Sequence, residues 1–428
     1  MDNSGRRWHA NWFWDCKGDD EIPGVPIMNY LVTPVSKDFS QQLSGDLAAR
    51  IDAVAAVAAC HADAVDRDGR YPTEAMKSLK DQRLLSVLVP RRLGGEGATM
   101  ADAAEVCYRL GRACGSTGMI YAMHLVKVAC IVNHYEGNAW QEALLQRLAA
   151  RQLLLASSTT EGMGGGNVRA SAAAISSDGL KISLVRDASV ISYGAHADGL
   201  VTTAKRAEAA DASDQVLAVF LKQDYELELT GGWDTLGMRG TCSTGFKLKA
   251  QGLADQVLAV PYARIHVQTM TPAAHILWSS VWAGIAAAAV TKAELFVRKA
   301  MRGTVGQLPP GAAHVGHAKS KLRLLSALLT DAVDRYEAAR LDDEKSGSLD
   351  YQSAMALTKV EASELAVQIV MSCYRTCGLA GYRNDGDVSI GRHLRDILSS
   401  PIMINNDRIT ANISSAMLMS GVPEGLRA

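Results

Sequence analysis

Hydrophobic positions change their spacing twice along the chain. In residues 41–155 apolar side chains recur every three or four positions, which predicts amphipathic helices. Between about residues 153 and 270, short runs rich in Val, Ile, Thr and Ser are separated by Gly, Asp and Asn, which predicts β-strands. The helical spacing then returns, and the candidate helices of the last third are 274–302, 312–341, 351–377 and 406–420.

This order of helices, strands and helices predicts an α+β fold rather than a doubly wound sheet. We expect the strands to form a small antiparallel barrel or sandwich. The absence of a strand–GxGxxG–helix unit argues against a Rossmann nucleotide site. Four parts are predicted. They are an irregular N-terminal extension (1–40), an N-terminal helical domain (41–152), a middle β domain (153–270) and a C-terminal helical bundle (271–428).

The composition of the 428-residue chain narrows the class of protein. A formal net charge of -1 gives no indication of a basic surface for nucleic acid. The sequence has no uninterrupted run of about 18 apolar residues, so we expect no membrane span. The eight cysteines contain no CxxC pair and no zinc-ligand spacing, which predicts reduced buried thiols, no metal site and a cytoplasmic protein.

Five segments share the pattern of a known family. They are YPTEAMKSLKDQRLLSVLVPRRLGGEG (71–97), SSTTEGMGGGNVRAS (157–171), ASVISYGAHADGLV (188–201), GGWDTLGMRGTCSTGFKL (231–248) and CGLAGYRNDGDVSIGRHLRD (377–396). In sequence and in order they resemble the acyl-CoA dehydrogenases. The resemblance implies a small β-barrel or sandwich between two helical domains, of which the second is a four-helix bundle. It also implies FAD as the cofactor and a homotetramer as the assembly.

The resemblance further implies which residues bind the cofactor. In the family, a loop after the first strand donates hydroxyl and backbone N–H groups to the flavin, and a later Ser or Thr lies near flavin N5. Glycines in the C-terminal part let the FAD diphosphate of a neighbouring subunit approach the backbone. The last cofactor-binding position is in a Gly-Thr pair that follows the catalytic Glu. The matching positions here are Thr159, Thr160, Gly165, Gly166, Ser192, Gly378, Gly381 and Asn406.

Two positions in the fourth segment are candidates for substrate contact. Arg239 and Thr241 match the family's L-G-x-R-x-S-x-T pattern, which is the most specific match in the chain. A buried Arg at this place also fits a second interpretation, a brace between two domains.

The catalytic base of the family is missing from this sequence. A carboxylate there removes the α-proton of an acyl thioester, but Ile404 occupies the position of the usual Glu and Ala274 occupies an alternative one. His275 and Asp407 are the nearest candidates for a base. Each also has an ordinary structural explanation, since His275 lies within a helix and Asp407 opens one. Ala300 likewise replaces an Arg that holds the FAD pyrophosphate in the family.

Three functions remain open. The first is FAD-dependent α,β-dehydrogenation of an acyl thioester carried by coenzyme A or an acyl carrier protein, in specialised biosynthesis and with an electron-transfer partner. The second is a monooxygenase of the same fold that takes reduced flavin from a reductase and acts on amines, phenols or thiophenes. The missing Glu is unnecessary for that reaction. The third is a flavin-binding protein without catalysis.

Overall fold

The structure is a computed structural model that describes residues 45–135, 137–161, 168–302 and 308–419. The predicted extension, residues 1–40, lies outside the described residues, and so do the candidate flavin-loop glycines Gly165 and Gly166. The predicted α+β architecture is confirmed, with helices on both sides of a middle region of strands.

Five helices form the N-terminal part. Their apolar faces turn inward, and Leu47, Ile51 and Val54 of the first helix are buried, as their spacing predicts. The third helix begins at a capping box, in which Thr99 and Asp102 satisfy each other's backbone N–H groups. The helices are α1 Gly45–Asp68, α2 Thr73–Asp81, α3 Met100–Ala113, α4 Gly115–His134 and α5 Ala139–Arg151.

Seven strands in the described part of the chain form two small sheets. One sheet has the order β1-β4-β5 and the other has the order β2-β3-β7-β6. The strands are β1 Leu155–Ser158, β2 Ser176–Asp178, β3 Lys181–Ile191, β4 Gly199–Lys205, β5 Gln215–Leu221, β6 Tyr225–Leu229 and β7 Thr244–Leu253.

The expectation that all strands pair antiparallel was wrong for one pair. β1 runs parallel to β4, with Leu155 opposite Gly199. After β1 the chain forms the β2–β3 hairpin in the other sheet, and only then does it return to β4. A long crossover of this kind permits a parallel neighbour, whereas a tight turn imposes an antiparallel one.

The C-terminal part is a bundle around the long helix α7. A π-helical turn, His266–Met270, connects the short α6 to α7 without a break in the helical backbone. Helices occupy all four candidate segments. The C-terminal helices are α6 Tyr262–Ile265, α7 Thr271–Met301, α8 Ala312–Ala339, α9 Asp343–Gly347, α10 Leu349–Tyr382, α11 Gly391–Ile397 and α12 Asn406–Met419.

Glycines hold α3 and α7 in close contact. A Cβ on Gly111 would lie 2.4 Å from the carbonyl oxygen of Val281, and a Cβ on Gly284 would lie 2.2 Å from that of Tyr108. Since no larger side chain fits at either place, the two glycines allow the backbones of the N-terminal and C-terminal parts to touch.

Two helices are long and apolar enough to cross a membrane by length and composition alone. They are Gly115–His134 and the continuous helix Tyr262–Met301. In each, about nine-tenths of the most apolar window is buried within the protein (94% and 89%), as in the core helices of a bundle. Their hydropathy is therefore accounted for by internal packing.

Candidate functional site

Three hydroxyl groups form a chain at the end of the four-stranded sheet. Ser243 Oγ donates to Ser192 Oγ at 2.7 Å, and the hydroxyl oxygens of Thr241 and Ser243 lie 2.8 Å apart. Thr241 Oγ1 also donates to the carbonyl oxygen of Met238 at 2.8 Å. Ser192 and Thr241, which the sequence assigned to cofactor and substrate respectively, therefore belong to one cluster.

Tyr193 connects this hydroxyl chain to β1. Its backbone N–H donates to Thr241 O at 2.8 Å, and its buried phenol donates to Leu155 O at 3.0 Å. β1 leads directly into the loop that carries Thr159 and Thr160, both of which are half-buried. The candidate flavin loop and the hydroxyl chain thus lie in one region of the β domain.

Glu161 holds the loop after β1 in place. Its Oε1 lies 3.3 Å from Arg186 Nη1 and accepts the backbone N–H of Ala173 at 3.1 Å. The Arg186 side chain is 1% exposed and also donates to Thr203 O. Burial lowers the pKa of Arg186 to about 10, which leaves the guanidinium charged at neutral pH. The loop is therefore anchored by a buried ion pair.

A turn at residues 401–405 contains Ile404, the residue that the sequence analysis assigned to the position of the family's base. Ile404 and Asn405 both adopt left-handed backbone conformations, with φ values of +58° and +48°. A β-branched residue rarely adopts this conformation, because its Cβ crowds the following carbonyl. The Asn405 side chain accepts the N–H of Asp407 at 2.9 Å and so caps α12. The Ile404 side chain is a half-buried alkane and cannot accept a proton.

Asn406 is held entirely by α10. Its Oδ1 accepts Lys359 Nζ at 2.6 Å, while its Nδ2 donates to Ser363 Oγ and Glu364 Oε1, each at 2.9 Å. Lys359 is fully buried, and its ammonium lies 5.7 Å from the ring centroid of Trp282. Burial lowers the pKa of Lys359 to about 8. The amide predicted to contact the cofactor therefore fastens α12 to α10.

The two candidate bases lie in different surroundings. Asp407 is exposed in the first turn of α12, where a negative charge complements the helix dipole. His275 is buried in α7 and donates from Nδ1 to the carbonyl oxygen of Met355 at 2.8 Å. Burial lowers the pKa of His275 to about 4, so the ring is neutral at pH 7 and is a weaker base than a free imidazole.

The glycines of the fifth segment bend α10 near its end. Gly378 has φ +53° and ψ -134° inside the helix, and nothing lies within 4 Å of the point where its Cβ would be. Gly381 is tightly packed, because its Cβ would lie 2.5 Å from that of Cys377. Lys359 lies nineteen residues earlier, about 28 Å along an ideal helix. The bend therefore lies near the C-terminal end of α10, well separated along the helix from the residues that hold Asn406.

Arg239 connects the β domain to α1. Its guanidinium donates to Asp66 O at 2.8 Å, to Thr235 O at 2.9 Å and to the Asp234 carboxylate at 3.0 Å. These contacts match the second interpretation given above, a brace between two domains.

Three residues were missed by the sequence interpretation as parts of this region. Ser243 stands in the same motif as Thr241, and Glu161 directly follows Thr160, so both had a local signal. Lys359 had none, because a single Lys in an amphipathic helix usually faces water. Within the described ranges, no group of three or more His, Cys, Asp or Glu side chains is placed to hold a metal ion.

The donor set fits a flavin. The half-buried Thr159 and Ser192 and the hydroxyl of Ser243 offer uncharged donors and acceptors, which suit the edge of a neutral ring with alternating N–H and C=O groups. The open bend at Gly378 lets a phosphate approach the backbone. The structure thus combines a helical–β–helical fold with hydrogen-bonding groups suited to a flavin, which defines the class as a flavoprotein of this fold.

Comparison with protein families assigns the chain. The acyl-CoA dehydrogenase N-terminal domain matches residues 47–152, and the acyl-CoA dehydrogenase C-terminal domain matches residues 269–418, which together are more than half of the chain. The chain therefore belongs to the acyl-CoA dehydrogenase family, a flavin-binding family.

Individual relatives differ in their activities. The chain is 25% identical over 182 residues to a probable acyl-CoA dehydrogenase of Bacillus subtilis, a match that covers 42% of this chain and about half (48%) of that protein. It is 26% identical over 326 residues to a dibenzothiophene monooxygenase of Mycolicibacterium goodii, covering 71% and 74% of the two chains. The FMN-bound structure of the dibenzothiophene monooxygenase of Paenibacillus sp. A11-2 superposes with a TM-score of 0.77 at 17% identity, covering 88% and 98%.

Proposed function

We propose that this protein is a monooxygenase that uses reduced flavin supplied by a separate reductase. The proposal is supported by Ile404, which the sequence assigns to the position of the family's base and whose side chain in the turn at 401–405 is a half-buried alkane. The nearest carboxylate along the chain, Asp407, is exposed, and His275 is a weak base. Dehydrogenation of an acyl thioester requires a base, whereas oxygen insertion does not.

The similarity to dibenzothiophene monooxygenases supports the same conclusion, because it extends over most of this chain. It also bears on which flavin is used. Ala300 replaces the Arg that holds the FAD pyrophosphate in the family, and Arg298 close by pairs with Glu294. The resulting loss of a diphosphate contact favours FMN over FAD as the flavin bound by this protein.

In this proposal, the residues of the chain bind and orient the flavin. When bound, reduced flavin supplies two electrons with which dioxygen is split, one oxygen atom entering the substrate and the other leaving as water. Ser192 and Ser243 hold the ring edge, and Thr159 and Thr160 hold its other polar groups. The Glu161–Arg186 pair fixes the loop, so that these hydroxyls are pre-oriented.

An oxygen-isotope assay tests the proposal. The purified protein is supplied with NADH, a flavin reductase, FMN or FAD and 18O2, together with a thiophene, a phenol and an amine as substrates. We expect one 18O atom in a product, more rapidly with FMN. Catalase and a protein-free control exclude oxidation by free hydrogen peroxide. Bleaching of bound flavin by acyl thioesters without oxygen, and no 18O incorporation, would instead establish the dehydrogenase.

We also propose that the protein is a homo-oligomer that shares its flavins between subunits. Nothing lies within 4 Å of the missing Cβ of Gly378, and this glycine matches a position at which the family binds the FAD diphosphate of a neighbouring subunit. The open backbone at this bend therefore suits the phosphate of a flavin that is bound by a neighbouring subunit. Native mass spectrometry of the flavin-loaded protein checks this, with a tetramer as the expected mass and a flavin-bound monomer as the contrary result.

A further inference from the structure

A buried lysine that forms no ion pair within the described residues lies at the junction of α4 and the π-helical turn. Lys127 is 4% exposed, and its Nζ has Met270 Sδ as its hydrogen-bond partner at 2.9 Å. Among the residues that the structure describes, no carboxylate forms an ion pair with it. A thioether is a weak acceptor, so it compensates little of the several kcal/mol that burying an isolated charge costs.

Two further donors lie on α6 and on the π-helical turn that carries Met270. The phenol of Tyr262 is buried, and its oxygen has no hydrogen-bond partner among the described residues. The ring of His266 lies 5.6 Å from the ring of Tyr262 and is within electrostatic reach of Lys127. Burial raises the pKa of Tyr262, so the phenol stays protonated. Because burial lowers the pKa of His266 to about 3, its ring is neutral and still carries one N–H.

The π-helical turn is fixed to α4 by hydrogen bonds. Thr269 Oγ1 lies 2.9 Å from His134 Nε2 and accepts Asn133 Nδ2 at 3.2 Å. Asn133 Nδ2 also donates to the phenol oxygen of Tyr336 at 3.1 Å. Single-turn π-helical segments inside longer helices are frequent at functional sites, where they redirect side chains. This one presents Met270 and His266 towards Lys127.

The cluster lies beside the candidate flavin site. One turn before Lys127, His124 Nδ1 accepts the backbone N–H of Leu155 at 3.0 Å, which joins α4 to the start of β1. β1 leads to the loop of Thr159, and Tyr262 lies within electrostatic reach of Arg186, which anchors that loop. A molecule bound against α4 at this junction would be next to the flavin loop.

We propose that Lys127, Tyr262 and His266 form a subsite that binds the carboxylate of an aromatic substrate. Lys127 supplies a positive charge without an ion-pair partner among the described residues, and Tyr262 and His266 supply neutral donors, a combination that suits a carboxylate. Arg169 is also within electrostatic reach of Tyr262 and His266, and adds to the attraction for an anion. The inference rests on the proposed monooxygenase function for its substrate class, but the subsite is tested by equilibrium binding without turnover.

The experiment compares matched pairs of probes by titration calorimetry on the flavin-loaded, oxidised protein. The probes are indole-2-carboxylate against indole, and benzothiophene-2-carboxylate against benzothiophene. We expect the wild-type protein to bind each carboxylate about 10- to 100-fold more tightly than its uncharged partner. In Lys127→Met this preference disappears while the uncharged probes bind as before. Lys205→Met, which removes a positive charge from β4, keeps the preference.

Thermal unfolding distinguishes a binding role from a structural one. Met fills nearly the same space as Lys without a charge, so Lys127→Met is expected to fold and to unfold at the same temperature or higher. A wild-type protein without a preference for the carboxylates, or a preference that persists in Lys127→Met, overturns the subsite. Failure of the 18O assay alongside an intact preference would refute only the monooxygenase.

Discussion

At the scale of single residues, the ion pair between Glu161 and Arg186 has the greatest effect on the candidate flavin site. In Glu161→Gln the buried guanidinium loses its partner, which typically costs about 3–5 kcal/mol. The loop with Thr159 and Thr160 also loses its anchor. We therefore expect a lower urea midpoint and weaker flavin binding, measured by urea denaturation and by flavin fluorescence.

The exposed pair of Arg206 and Asp214 is the matched control for this prediction. Both side chains are 46% exposed, and their charges lie 3.2 Å apart. Water screens such a pair, so Arg206→Gln should cost less than about 1 kcal/mol. Equal losses in the two variants would contradict the special role of Glu161.

Ser192 is the residue whose hydroxyl we expect to contact the flavin ring directly. Ser192→Ala removes one hydrogen bond from the ring and one from the hydroxyl chain, so flavin should bind about tenfold more weakly. Ser326→Ala in α8 is the control, since that hydroxyl donates only within its own helix, to Leu322 O. If both variants bind flavin equally well, Ser192 does not contact the ring.

At this scale the sequence identified residue types better than their roles. It placed Ser192 and Thr241 correctly within polar motifs, because hydroxyl-rich loops between strands are a local feature. It could not indicate that Asn406 is held by Lys359, since these residues are 47 positions apart and meet only when α12 packs on α10. The low pKa of His275 likewise depends on burial, which a local pattern does not define.

At the scale of secondary structure elements, the bend in α10 depends on Gly378. Its φ of +53° with ψ -134° is a conformation that residues with a Cβ avoid. Gly378→Ala should therefore destabilise the protein by about 1–3 kcal/mol and weaken flavin binding at the bend. Urea denaturation and flavin titration measure the two effects.

Gly316, in the second turn of α8, provides the matched glycine. Nothing lies within 4 Å of its missing Cβ, and its φ is not positive. Gly316→Ala should therefore stabilise the protein by about 0.5–1 kcal/mol, because Ala is the better helix former. Stabilisation by both substitutions would show that the bend is not needed.

Local sequence patterns predicted the secondary structure elements best. The candidate segments 312–341 and 351–377 correspond to α8 and α10, since an apolar stripe at helical spacing requires a helix to bury it. The parallel pairing of β1 with β4 was missed, because register and direction depend on the route of the intervening chain.

At the scale of the whole molecule, burial of histidines predicts how stability depends on pH. Burial lowers the pKa values of His124, His134 and His275 to about 4, that of His266 to about 3, and that of His393 well below 6.5. Between pH 6.5 and 4 the unfolded chain therefore binds more protons than the folded protein. Above pH 6.5 each buried histidine makes its full contribution to the stability of the folded protein. This contribution is lost as the pH falls towards the pKa that the histidine has in the folded protein.

The expected result is a urea midpoint that falls steadily from pH 6.5 to 4. Each histidine with a folded pKa of about 4 contributes roughly 3 kcal/mol to this loss. Asp396 acts in the opposite direction, because burial raises the pKa of its carboxyl to about 6. His275→Asn keeps a donor for Met355 O but cannot be protonated, so its profile should be flatter. A profile identical to that of the wild type would contradict this account.

The sequence by itself determined the order of helices and strands and the family, and it predicts that Ile404 occupies the position of the usual base. These depend on short-range periodicity and on motifs whose residues are adjacent in the chain. Only the tertiary structure decided that Asn406 binds Lys359, that Arg239 braces α1 and that Lys127 is buried with no counter-ion among the described residues. The physical reason is that burial and pairing of polar groups depend on which distant elements pack together, and a local pattern carries no record of that.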